Sequence, residues 1–193
     1  WVFSEKKKEV DHPKVRWIHL KYDQLDRISD RIRGHDLFWC RSSFKDWADI
    51  TDASSIRTSL PFKMAWAALQ NDVSQFLFLS STMIGAQSWL PVLKQRAELE
   101  KAIRELPFWA LHIFKPPLMI ESSPVSRWGE GLAKSISNFT GGALEQFRPV
   151  EAEVVARAMI DSAQQFHKGI VVYSASDLQR LADQLFPKSP RKM

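Results

Sequence analysis

Short apolar runs recur along the chain, and most are followed by a longer stretch whose apolar residues fall three and four apart. That order constrains the fold more than any single motif. A run of four to six apolar residues is the length of a buried strand, and strands alternating with amphipathic helices close most readily into a parallel sheet covered on both faces. Strands are expected at Trp1–Ser4, Val15–Leu20, Asp36–Cys40, Gln75–Ser81, Trp109–Lys115 and Gly169–Ser174. Helices are expected between Asp23 and Arg33, with Gly34 as the residue that ends it, and at Ser55–Asp72, where Pro61 should kink or split the helix. A further helix begins at Pro91, carries Leu93, Ala97, Ala102, Ile103 and Leu106 on its apolar side, and stops at Pro107. Ser126–Asn138, Val150–Phe166 and Ser176–Phe186 complete the helices, the last capped by Ser176 or Asp177. Pro116 and Pro117 read as the stop of one strand and the start of a loop.

The fold class is therefore α/β, a doubly wound parallel sheet. At 193 residues the chain is long enough to bury about 70% of the surface its unfolded form exposes, so one domain over 1–193 needs no metal or disulfide. Thr140-Gly141-Gly142 is the one weak candidate for a boundary. The single cysteine, Cys40, rules out an internal disulfide and a multi-cysteine metal site, and points to a reducing, cytoplasmic setting. No apolar run reaches the ~20 residues that a membrane-crossing helix requires, and no secretory signal is visible at Trp1–Lys8.

Charge narrows the partners. The chain has 27 basic and 22 acidic residues, but leaving out Lys6, Lys7, Lys8, Lys188, Arg191 and Lys192 gives 21 against 22. The body is neutral and the basic excess sits in two terminal runs. A nucleic-acid surface needs its cations grouped on one face, so that class is disfavoured. His12, His19, His35, His112 and His167 form no pair at metal-ligand spacing. Ser81 lacks the flanking glycines of a hydrolase nucleophile elbow. Cys40 has no adjacent base in sequence and reads as a small apolar residue at a strand end.

In doubly wound sheets ligands lie beyond the carboxyl ends of the strands. Here those ends are Ser4–Lys7, Cys40–Ser43, Ser80–Gly85 and Lys115–Ile120, four loops expected to converge. The richest of them is Phe78-Leu79-Ser80-Ser81-Thr82, with Lys94 early in the next helix.

These segments, together with Asp36-Leu37-Phe38-Trp39-Cys40, Phe114-Lys115-Pro116-Pro117, Arg127-Trp128-Gly129-Glu130 and Val155-Ala156-Arg157-Ala158-Met159, resemble the atypical short-chain dehydrogenase/reductases in their Tat-interacting oxidoreductase-like branch. The likeness runs over most of the chain, and the order of the motifs carries it. It implies a Rossmann domain binding NADP or NAD, with Ser4, Lys6, Lys7, Cys40, Ser80, Lys94 and Pro116 at the cofactor and Ser81 and Lys94 at a carbonyl substrate. Lys6 and Lys7 follow the second strand of that family, where a 2′-phosphate would lie, and so favour NADP.

The sequence departs from the family pattern at two places. The family's Tyr-x-x-x-Lys pair has Leu90 in place of tyrosine, four residues before Lys94. A phenol of pKa ~10 beside a cation can exchange a proton near neutrality, and leucine cannot. The only tyrosines are Tyr22 and Tyr173, with Tyr173 read as a packing residue, and Trp89 stands beside the lost position. In addition, the family's first strand, glycine-rich turn and first helix have no counterpart in the sequence, and none of the seven glycines forms a G-x-G-x-x-G. In the strand order 3-2-1-4-5 that first strand is central, so the sheet is expected to fall into two fragments with exposed edges. The expectation is that the sequence begins inside a longer protein; the alternatives are a sheet that closes up around the gap and a strand supplied by another chain. An NAD(P)-binding oxidoreductase and a non-catalytic Rossmann protein acting through protein association, as a homodimer or with another partner, are the two readings left open.

Overall fold

The computed structural model describes residues 1–4, 12–20, 22–40, 54–81, 91–117, 119–120 and 150–185. The centre of the fold is a four-stranded parallel sheet in the order β3-β4-β5-β8, made of β3 (Asp36–Trp39), β4 (Gln75–Leu79), β5 (Ala110–Phe114) and β8 (Gly169–Tyr173). Every pairing is parallel, with Trp39 opposite Phe78, Leu79 opposite Phe114, and Phe114 opposite Tyr173. A second, two-stranded parallel sheet joins β1 (Val2–Ser4) to β2 (Trp17–His19). A third joins β6 (Met119–Ile120) to β7 (Val150–Glu151), again in parallel.

The central strands are apolar without alternation because both of their faces are covered. All five residues of β4 and of β5 are buried. Phe76, Phe78, Leu111 and Ile113 pack on one face with α1 (Leu60–Gln70) and α2 (Pro91–Arg104), through Phe62, Met64, Ala65, Ala68, Leu99 and Ile103. Leu77, Leu79 and Phe114 pack on the other with α3 (Ala152–Gln164) and with Leu178 of α4 (Ala175–Leu185). This is the doubly covered parallel sheet that the strand and helix alternation predicts, and its split from β1-β2 matches the two expected fragments.

Several boundaries differ from the sequence expectation. Asp23–Arg33 is not an α-helix but two 3-10 turns, Tyr22–Arg27 and Ser29–Arg31. The three-residue spacing of Leu25 and Ile28 suits three residues per turn as well as it suits an α-helix. Ser55–Ser59 lies ahead of α1, and Pro61 causes no kink because it occupies the first turn of the helix, where no N–H donor is needed. The other end of α1 closes on Asp72, whose φ of +59° lets Val73 N–H reach the Ala68 carbonyl at 3.0 Å. Beyond Pro116 and Pro117 the chain resumes as β6, and Val150–Glu151 is a strand rather than the first turn of a helix. The helix starts only where its buried stripe of Val154, Val155, Ala158 and Met159 begins. The expected helix at Ser126–Asn138 and the Thr140-Gly141-Gly142 turn lie outside the described residues.

The last helix is capped two or three residues earlier than expected. Asp177 N–H donates to Ser174 Oγ at 3.3 Å, and Ser174 N–H donates back to Asp177 Oδ2 at 3.0 Å. Ser174 is the cap and Asp177 its reciprocal partner three residues on. These bonds, with the Ser174 hydroxyl bond at 2.6 Å, hold the Asp177 carboxyl below its ordinary range.

Candidate functional site

The register of the central sheet brings three strand ends level. Ser80 N–H donates to the Phe114 carbonyl at 2.8 Å, and Lys115 N–H donates to the Tyr173 carbonyl at 2.8 Å. The ladders of β4-β5 and β5-β8 thus run one residue past their strands, and Ser80, Lys115 and Ser174 stand along one carboxyl edge with Cys40 at the end of β3. Of the four loops expected to converge, those after β4 and β5 start side by side at Ser80 and Lys115, whereas β3 ends at Trp39 opposite Phe78 and Ser4 ends β1 in a separate sheet.

A buried polar network ties this edge to α2. Ser80 Oγ donates to Glu100 Oε2 at 2.7 Å, while Glu100 Oε1 accepts from Lys115 Nζ at 2.8 Å and from Arg104 at 2.8 Å. The Glu100 side chain is only 7% exposed. Burial alone would push its carboxyl up, but the bonds from Lys115, Arg104 and Ser80 outweigh burial and hold it below the usual carboxylate range. Glu100 is therefore an ionised anchor with both oxygens engaged, not a proton acceptor waiting for a substrate.

Sequence reasoning missed this network. Its signal is a charged residue inside an apolar stripe: Glu100 lies seven residues after Leu93 and three before Ile103, both buried. A carboxylate at such a position needs a buried cation, and Lys115 at the end of the next strand supplies it.

The residues singled out from sequence are distributed as follows. Ser80 is buried with its hydroxyl bound to Glu100, and Ser81 is half-buried just beyond it. Lys94 is exposed on the first turn of α2. Ser4 is half-buried at the end of β1. Cys40 is exposed, where a small apolar residue at a strand end was expected, and partial desolvation pushes its thiol up. Pro116 is buried and has no N–H to give. Lys6, Lys7, Trp89 and Leu90 lie outside the described residues.

Tyr173 is engaged in packing. Its ring stacks on Phe114 with centroids 4.6 Å apart, and its hydroxyl lies 3.3 Å from His112 Nδ1. His112 itself is fully buried on β5, and burial first, then the charge of His167, lowers its pKa against the opposing pull of Asp36.

No family model matches the chain. It is 25% identical over 144 residues to Protein HTATIP2 of Rattus norvegicus, covering 74% of this chain and 60% of that protein. It is 27% identical over 143 residues to the mitochondrial Protein FMP52 of Chaetomium globosum, covering 68% of this chain and 61% of that one. The order of the motifs and the doubly covered parallel sheet agree with this likeness. The chain resembles the atypical short-chain dehydrogenase/reductases over most of its length. It spans about 60% of the length of the curated relatives it matches. The fold of this short-chain dehydrogenase/reductase-like chain is also that of the Bordetella bronchiseptica enzyme WbmH, solved in complex with NAD+. The match there has a TM-score of 0.57 at 12% identity, over 94% of this chain and 69% of that one. Among the described residues, no helix is long and apolar enough to cross a membrane.

Proposed function

We propose that the chain is the NAD(P)-binding Rossmann part of an atypical short-chain dehydrogenase/reductase, taking the dinucleotide along the carboxyl edge of its central sheet. The observation that carries this reading is the level edge of Ser80 and Lys115, both locked to Glu100. A dinucleotide needs a rigid row of strand ends to lie against, and the network supplies that rigidity without spending an exposed charge. The solved WbmH relative of this fold carries NAD+, which supports the same ligand class here.

Ser81 and Lys94 are the residues proposed to face a small carbonyl substrate, with Ser4, Lys6, Lys7, Cys40, Ser80, Lys94 and Pro116 along the cofactor. The bound nicotinamide would supply hydride chemistry. Of these residues, Ser81 offers a hydroxyl for a carbonyl oxygen and Lys94 a cation near it. Lys6 and Lys7 favour NADP over NAD. A single cysteine in the whole chain supports a reducing, cytoplasmic compartment.

Titration of the chain with NADPH, and in parallel with NADH, is read from quenching of its eight tryptophans. Saturable quenching at micromolar concentration is the expected result, with NADPH the tighter ligand. No quenching by either removes the cofactor reading.

One observation favours a second reading, a Rossmann protein that acts by association rather than turnover. Leu90 holds the position of the proton-transferring tyrosine, and Tyr173 is bound into the Phe114 and His112 stack. Leu90→Tyr separates the two. Carbonyl-dependent oxidation of NADPH gained by that variant shows a site that lacks only its phenol, and silence in a variant that still binds cofactor favours association.

A further inference from the structure

An open groove of about 570 Å³ lies between α1 and the two 3-10 turns, and none of its lining residues belongs to the Ser80, Glu100 and Lys115 network. Leu25, Phe62 and Ala67 are buried and form its floor. Lys63, Trp66 and Gln70 follow one another at spacings of three and four, an exposed stripe of α1 along its rim.

The two ends of this groove differ in charge. Asn71, which closes α1, donates from Nδ2 to the Ser29 carbonyl at 2.6 Å, and Ser29 Oγ donates to the Asp26 carbonyl at 3.2 Å. These bonds gather Asp26 and Asp30, which flank Ser29 in the chain, beside the last turn of α1. Arg27, Arg31 and Arg33 are close in sequence but do not line the groove. At the other end, Arg57 lies over the Phe62 ring, 5.7 Å from its centroid, next to Lys63 in the first turn. Among the described residues, the side chains of Asp26, Asp30 and Lys63 enter no ion pair. The helix dipole sharpens the contrast. Its positive end meets Arg57 and Lys63 with no acidic residue in the first turn, and its negative end meets Asp26 and Asp30 with no basic residue in the last. Each end thus carries the sign of charge that the dipole disfavours, and each favours a ligand group of the opposite sign.

We infer that this groove docks one extended segment of a partner protein, with an acidic side chain at Arg57 and Lys63, an aromatic one against Trp66, and a basic one at Asp26 and Asp30. Length favours a peptide over a small zwitterion. From Lys63 to Asn71 the helix rises about 12 Å, and an extended peptide sets residues i, i+2 and i+4 on one face across about 13 Å. The two charges of a free amino acid sit far closer together than that. Trp66 stands near the middle of the span, 48% exposed on a helix whose other face is core. A half-exposed tryptophan between charged ends is the anchor that such interfaces use, a rigid apolar surface ringed by polar groups. The groove is open whether or not a dinucleotide binds, so the inference stands apart from the cofactor reading.

The test titrates the 193-residue chain with acetylated, amidated Glu-Ser-Phe-Ser-Arg. Nitrogen–proton correlation spectra read the Trp66 indole and the amides of Asp26, Asp30 and Asn71, with Trp66→Phe assigning the indole signal. Saturable shifts at these positions are expected. Glu-Ser-Phe-Ser-Glu and Arg-Ser-Phe-Ser-Arg should each bind roughly fivefold more weakly, because one end then meets its own sign. Trp66→Ala should weaken Glu-Ser-Phe-Ser-Arg by about tenfold. The decisive variant reverses one end of the groove. Arg57→Glu combined with Lys63→Glu should overturn the ranking, making Arg-Ser-Phe-Ser-Arg the tightest of the three by roughly tenfold. Both positions are exposed, and a gain of binding cannot come from a damaged chain. Three results overturn the inference. The first is no shift at any of these positions, and the second is a ranking that the charge reversal leaves unchanged. The third is methylguanidinium binding as tightly as the peptide, which would make the groove a cation site and not a docking groove.

Discussion

The β3-β4-β5-β8 sheet and the β1-β2 pair are both parallel, yet they are held in different ways. In the larger sheet, β4 and β5 bury all ten of their residues between helices on both faces. In the pair, no residue of β1 is fully buried, and β2 buries only Ile18. Parallel pairing is weak on its own and depends on what covers it. The larger sheet is therefore the part of the fold that sustains itself, and the β1-β2 pair borrows its stability from Phe3 packing on the edge of the main core.

Matched truncations test this difference most severely. Phe76→Ala removes a fully buried ring that stacks on Phe108 at 5.3 Å and touches Phe78 at 5.9 Å. The expected loss is about 4 kcal/mol. Phe3→Ala removes a ring that is only partly buried, and should cost about 1 kcal/mol. Denaturant unfolding of both variants measures the contrast. Equal losses would break it, and would mean that β1-β2 is as integral to the core as β4.

The carboxyl edge of the larger sheet has a polar fastening of its own. Glu100→Gln leaves Lys115 and Arg104 without their shared anion, and the expected loss is roughly 3 kcal/mol at pH 7. The sign with pH follows from the lowered carboxyl. Because the folded pKa lies below the unfolded one, the stabilisation is complete above the unfolded value of ~4.3 and is lost as pH falls through the folded value. The parent chain should thus lose stability steeply below about pH 4.5, while Glu100→Gln, already weaker, should show a shallower acid limb. Parallel acid limbs in urea unfolding from pH 7 to pH 3 would remove Glu100 from the account.

What the sequence revealed follows the same division. Phe76–Leu79 and Leu111–Phe114 announced themselves because strands buried on both faces must be apolar throughout, and α2 was bounded by Pro91 and Pro107. The two 3-10 turns read as one helix because apolar residues three apart fit both geometries. Val150–Glu151 was absorbed into α3 because a two-residue strand has no period of its own and exists only through its partner β6. At the candidate site, Ser80 and Ser81 were legible as a polar end to an apolar strand. Glu100 was not, since its partner Lys115 lies on a different element and only the register of β4 on β5 brings the two together. Local patterning shows which residues are buried, whereas long-range pairing decides which buried charges are satisfied.

The smallest expected effect concerns the last strand of the larger sheet, where order is set locally. Ser174 leaves β8 and caps α4 through two reciprocal bonds with Asp177, so it fixes the turn between a strand and the helix whose Leu178 enters the core beside Phe114. Ser174→Ala removes the hydroxyl acceptor of Asp177 N–H and leaves the backbone bond back to the carboxylate. The expected cost is about 1 kcal/mol, a Tm shift of roughly 2–4 °C for a chain of this size. That is a quarter of the Phe76→Ala loss and close to that of Phe3→Ala. A local cap inside the stable sheet and a whole ring in the weak pair would then weigh about the same. A cap loss above that of Phe3→Ala would show that β8 is held at its end rather than by its ladder with β5, and would move the boundary of the self-sustaining region to β5.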